Sequence, residues 1–188
     1  MSYFFLVGLA FMFLEIMFIQ RFILFLGYPF YAIAYVIIIL LLFAGIGSSI
    51  SKKIEIYLKK IKSSIHTIDI SIICLSTLLT VYLFFLTPIF NAFFSSNEII
   101  KFIISVLLIA PYAFFMGMPF PLGLAWLEKN FKEGIPWAWG INGCASVIGA
   151  VFASLLLMNL EYTTVTGIAM LMYLATLTIF RFVFLKKP

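Results

Sequence analysis

The chain has 188 residues, of which 65% are apolar and 10% charged, and its formal net charge is +5. At about 20 apolar residues per membrane-spanning helix, that apolar stock is enough for about six spans and leaves almost nothing for a separate water-soluble core. A soluble domain, a disordered chain and a secreted disulfide scaffold are excluded; Cys74 and Cys144 lie inside apolar runs without CxxC spacing and read as buried small apolar residues.

The first apolar run follows no Lys or Arg, contains Glu15 and precedes no small-x-small cleavage pattern, so it reads as a retained helix rather than a signal peptide. Breaks at polar, Gly and Pro residues predict six helices in one all-α transmembrane domain, at about 3–26, 30–51, 68–92, 98–127, 136–159 and 162–185. Runs such as Ile37 to Phe43 are apolar at every position, which excludes the alternation of a β-barrel.

Helix 1 places Glu15 near mid-span, where a charge costs about 2.5–3.5 kcal/mol, so the carboxyl is expected to face the bundle interior, protonated or paired. Two roles are open to it, an interhelical hydrogen bond and the handling of a proton or ligand. Gln20 and Arg21 follow five and six residues later, off the Glu15 stripe. Arg21 is expected to snorkel to the headgroups rather than form an interior ion pair.

Helix 2 carries small residues near its end, Gly45, Gly47, Ser49 and Ser51. Residues 52–67 then set Ile54, Tyr57, Leu58, Ile61 and Ile65 among lysines at helical spacing. This segment reads either as an amphipathic helix on the inner membrane surface or as an ordinary basic loop. His66, without a second His or Cys at ligand spacing, is expected to be solvated.

In helix 4 the stretch Gly117-Met-Pro-Phe-Pro-Leu-Gly123 should break the helix, because Pro119 and Pro121 lack amide hydrogens and Gly117 and Gly123 admit conformations closed to other residues. Such a break must be covered by protein or line a wet cavity, so it reads as a transporter-like ligand site or as a kink near the helix end. Helix 5 opens with Pro136-Trp-Ala-Trp-Gly-Ile-Asn-Gly143: Pro136 suits a first turn, Trp137 and Trp139 suit the interface, and Asn142 brings an amide just below it. Ala145, Gly149 and Ala153 then form a small-residue stripe that lets another helix approach closely.

With both termini cytoplasmic, Lys52, Lys53, Lys59, Lys60, Lys62, Lys129, Lys132, Arg181, Lys186 and Lys187 lie inside, and Arg21 and Lys101 lie outside. This strong positive-inside bias predicts that the end of helix 2, the break in helix 4 and the start of helix 5 share the cytoplasmic leaflet of the cell membrane.

Three blocks carry a resemblance: Phe13-Leu-Glu-Ile-Met-Phe-Ile-Gln-Arg-Phe-Ile-Leu-Phe-Leu-Gly27, the 117–123 stretch and the 136–143 stretch. In this order they resemble the membrane region of spermidine synthase-like integral membrane proteins. That resemblance implies half of a major-facilitator-type bundle, which in fuller members accompanies a cytoplasmic aminopropyltransferase-like domain. This chain has neither the Gly-rich nucleotide-binding turn after a strand nor the substrate carboxylates of that domain, so no catalytic or cofactor role carries over.

The expected function is a membrane module without cofactor, metal or catalysis of its own that docks or serves a synthase-like cytoplasmic partner. The alternative is a half-transporter that forms a homodimer and moves a small cationic solute such as a polyamine, with Glu15 as its binding group. A membrane enzyme lacks an acid/base pair here, and nucleic acid lacks a basic face with stacking aromatics.

Overall fold

Apolar surroundings offer no water to backbone N–H and C=O groups, so a chain of this composition satisfies them within helices. The computed structural model describes residues 1–61 and 65–184, and among these there is no strand. The helices are α1 (Ser2–Leu26), α2 (Pro29–Lys60), α3 (Thr67–Phe93), α4 (Glu98–Met116), α5 (Pro119–Asn130), α6 (Ile135–Asn159) and α7 (Tyr162–Ile179). A short 3-10 turn, Lys132–Gly134, joins α5 to α6, and α7 runs on into a π-helical turn, Phe180–Phe184. With α4 and α5 counted together, six helices are long and apolar enough to cross a membrane. Lys62, Lys186 and Lys187 lie outside the described residues.

Local chemistry sets the boundaries. Gly27 takes the left-handed conformation (φ 80°) that closes α1, and Pro29 opens α2. The Asn97 side chain caps α4 by accepting from the Ile100 N–H at 2.9 Å.

The main departure from the sequence expectation is α2. It continues without interruption to Lys60, and its 32 residues span about 48 Å against a hydrocarbon core of about 30 Å. Residues 52–60 therefore extend the spanning helix straight past the end of the apolar stretch; they are not a separate helix lying on the surface. No Gly or Pro intervenes to stop propagation, and Glu55 pairs with Lys59 one turn later at 3.1 Å.

α1 is the core of the bundle. Half of its most apolar window is buried (50%), against 17% for α6, the least covered span. Phe18 meets the edges of Tyr82 and Tyr112, and Phe25 stacks on Phe90 at 4.3 Å, so rings from α1 bind it to α3 and α4.

Two seams bring backbones together. At the α2–α4 crossing, a Cβ on Gly47 would strike the Phe114 carbonyl and one on Gly117 would strike Ala44. At the α1–α6 seam, a Cβ on Gly8 would stand 2.7 Å from the Asn142 carbonyl, and one on Gly149 would stand 3.1 Å from Met12. Ala145, Gly149 and Ala153 are all buried along this seam. Gly45, by contrast, faces open space.

Gly117→Val and Gly47→Val should each lower stability by about 1–3 kcal/mol through overpacking, read as thermal unfolding in mild detergent. Gly45→Ala, with nothing near its Cβ, should leave stability unchanged or raised by about 0.5–1 kcal/mol.

Candidate functional site

The break in helix 4 forms in a compact way. α4 ends at Met116, the Gly117 N–H donates to Ala113 at 3.0 Å, and the Met118 N–H donates to Phe115 at 3.3 Å before Pro119 starts α5. Gly117 itself has an ordinary helical conformation, φ −74°, and Gly27 is the glycine with positive φ among the described residues. The expectation that Gly117 and Gly123 serve by unusual backbone angles is thus corrected. They serve by lacking a side chain, Gly117 against Ala44 and Gly123 against the Tyr3 and Phe4 rings. The buried Tyr3 hydroxyl donates to the Pro119 carbonyl at 2.6 Å, which ties the first turn of α1 to the start of α5.

At this same, lysine-rich end, polar groups from three helices interlock. The Thr67 N–H donates to Glu55 Oε2 at 3.0 Å, and His66 Nδ1 lies 3.1 Å from Glu55 Oε1. The His66 N–H donates to Asp69 Oδ2 at 2.9 Å, a carboxylate at the third position of α3 closing the helix start. Arg181 Nε donates to the other oxygen, Asp69 Oδ1, at 3.0 Å. His66 is therefore a partnered residue at the start of α3 rather than the solvated one expected from sequence. Asp69, at 1% exposure, is the deeply buried carboxylate of the chain's described part, a place the sequence reading gave to Glu15.

Glu55 lies four residues past the end of the apolar part of α2. Burial opposes its ionisation, and hydrogen bonds from Thr67, His66 and Lys59 outweigh burial, pulling the carboxyl down to about 2.

Beside this network lies a cavity of about 330 Å3. Ile56, Ile68 and Leu122 form part of its apolar wall, and Lys52, Trp126 and Lys129 are among the residues around it. Its walls come from the α2 extension, the start of α3, α5 and Phe180 after α7, so the segment that follows the helix 4 break forms one side of it.

The remaining sequence candidates do not gather here. Glu15 is half-buried in mid-α1 and, among the described residues, has neither an ion pair nor a hydrogen-bond partner, which leaves the protonated form of the two states expected of it. Gln20 and Arg21 lie at the opposite end, where Arg21 donates to Thr87 Oγ1 at 3.3 Å. Asn142 packs on Gly8, and its Oδ1 is buried without a hydrogen-bond partner. Cys144 is exposed on α6 and Cys74 is intermediate, so neither is the buried residue expected. No three His, Cys, Asp or Glu among the described residues stand close enough to hold a metal ion.

No family model, curated protein or solved structure matches the chain.

The Asp69–Arg181 pair joins residues 112 positions apart, which no local pattern announces. The His66-x-x-Asp69 spacing before an apolar run was its one sequence signal. Asp69→Ala should cost about 1–3 kcal/mol by leaving the part-buried His66 N–H and the Arg181 guanidinium without their acceptor, measured by thermal unfolding in detergent. A depressed carboxyl contributes stability that is present above its ordinary value, 4.5, and is lost as pH falls toward about 2. The difference in unfolding temperature between the native chain and Glu55→Gln should therefore be largest near neutral pH and shrink as pH drops below about 4.5.

Proposed function

We propose that the protein is a six-span membrane module whose lysine-rich end lies in the cytoplasm and docks a soluble synthase-like partner. The observation that carries this reading is the cavity between the α2 extension and α5, with Lys52 and Lys129 beside it and a fixed Glu55–His66–Asp69–Arg181 network behind it. Such a frame presents a shaped surface of mixed charge, Lys52, Lys59 and Lys129 alternating with Glu55 and Glu128, whose position does not depend on mobile side chains. The positive-inside bias supports the cytoplasmic placement, and the resemblance to the membrane region of spermidine synthase-like proteins supports the partner's class.

Two measurements test the reading. In a background where Cys74 and Cys144 are replaced, Lys59→Cys should react with a permeant maleimide and be protected from an impermeant one added to intact cells. Labelling by the impermeant reagent would reverse the topology. A photo-crosslinking residue at Lys129 should trap a protein with an aminopropyltransferase-like domain; crosslinks to lipid alone would remove the docking role.

A second reading rests on Glu15, a half-buried mid-span carboxylate without a partner among the described residues. A carboxylate left so in lipid is costly, and a second copy would cover it and create a cation site between two six-helix halves. Under this reading the protein moves a small cation such as a polyamine. Proteoliposome uptake of spermidine should then fall at least tenfold in Glu15→Gln, and uptake indifferent to that change would exclude the transport role.

A further inference from the structure

At the end of the bundle away from the lysines, three helices fix one guanidinium. Arg21, on the last turns of α1, lies 3.7 Å from the centroid of the Tyr162 ring at the start of α7. Its Nη2 donates to Thr87 Oγ1 of α3 at 3.3 Å, and Thr87 Oγ1 lies 3.4 Å from the Tyr162 hydroxyl. The Arg21 Nε is buried without a hydrogen-bond partner. Clamped by a ring and a hydroxyl, the guanidinium has lost the freedom that snorkelling requires.

What this cation lacks is a counter-charge. The Glu55–Lys59, Glu55–His66 and Asp69–Arg181 pairs all lie at the other end, and among the described residues no carboxylate pairs with Arg21. Glu161, next to the clamping ring in sequence, accepts instead from the Thr163 hydroxyl at 3.3 Å. Lys101 is the other cation at this end, and it sits over the Phe25 and Phe94 rings at 5.6 and 5.0 Å, away from Tyr162.

Arg21 borders an open hollow of about 350 Å3 with Gln20, Tyr162, Leu157 and Leu160. The hollow thus combines a planar cation held by a ring and a hydroxyl, a neighbouring amide, and apolar walls from Ile23 and Leu24 of α1 and from Leu157 and Leu160 at the end of α6. With Nε buried and one Nη2 hydrogen given to Thr87, the Nη1–Nη2 edge of the guanidinium remains to meet the oxygens of a phosphate group. We propose that this hollow binds an anionic phosphate group, with Arg21 as its cation and Tyr162 and Thr87 as the residues that position it. The phosphate belongs either to a lipid headgroup or to a free solute, and both present the same two oxygens to Arg21.

The test uses the full chain in mild detergent, with binding followed by titration calorimetry and by native mass spectrometry. Probes are short-chain phosphatidylglycerol, phosphatidylcholine of the same chain length, and inorganic phosphate. Phosphatidylglycerol binding at least tenfold tighter than phosphatidylcholine, lost at least tenfold in both Arg21→Gln and Arg21→Lys, assigns the site to a lipid headgroup. Binding of inorganic phosphate with the same dependence on Arg21 assigns it to a free anion. Lys101→Gln should stay within twofold of the native chain for either probe. Should Arg21→Gln not fold, Tyr162→Leu keeps the charge but releases the guanidinium, and it should weaken binding at least threefold. The proposal is overturned if neither probe binds in an Arg21-dependent way, if Tyr162→Leu binds as the native chain does, or if Lys101→Gln weakens binding as much as Arg21→Gln.

Discussion

In hydrocarbon, helices gain nothing by hiding apolar side chains from one another, so close packing decides which of them meet. The places where backbones can touch are accordingly what this bundle is built on. Gly47 against Phe114 and Gly117 against Ala44 set the α2–α4 crossing, and Gly8 and Gly149 set the α1–α6 seam. Tyr35 on Phe102 continues the first of these toward the other end, so α2 and α4 run parallel, as the second and fourth of six alternating spans must. Larger side chains then fill what the crossings leave, with the Phe and Tyr rings around α1 as the main material.

The polar groups follow from that frame. Once α2 runs straight past the apolar stretch, Glu55 arrives beside the start of α3, where the otherwise unpaired Thr67 N–H awaits an acceptor. Asp69 closes the same helix start and holds Arg181 from the last turn of the described chain. These are charge-assisted bonds at the edge of the apolar region, where water competes less than at a free surface. They lock the α2 extension, α3 and the end of α7 into one unit, and the cavity beside α5 owes its shape to that unit.

Much of the fold was legible in the sequence because it rests on composition and on local breakers. Long apolar windows announce spans, and the prolines at 119 and 121 announce a break whatever surrounds them. The continuation of α2 was not legible, since a basic segment with apolar residues at helical spacing fits a surface helix as well as a straight extension; the choice depends on Glu55 meeting Thr67. The site was legible in place but not in parts. The meeting of the helix 4 break with the end of α2 could be read from alternating spans, whereas Asp69–Arg181 is a pairing across 112 residues and Gly8 is one glycine in an apolar run. Gly117 acts through its missing side chain and not through its backbone freedom, and a sequence shows that a side chain is missing but not what occupies the vacated volume.

The hydrogen bond from Tyr3 to Pro119 has a consequence for how the chain is made. Donor and acceptor are 116 residues apart, so at about 5–20 residues per second of synthesis the first helix enters the bilayer several seconds before its acceptor exists. The α6 surface that packs on Gly8 emerges later still. The contacts that enclose α1 thus come from segments made after it, and they can close only once α5 and α6 have followed.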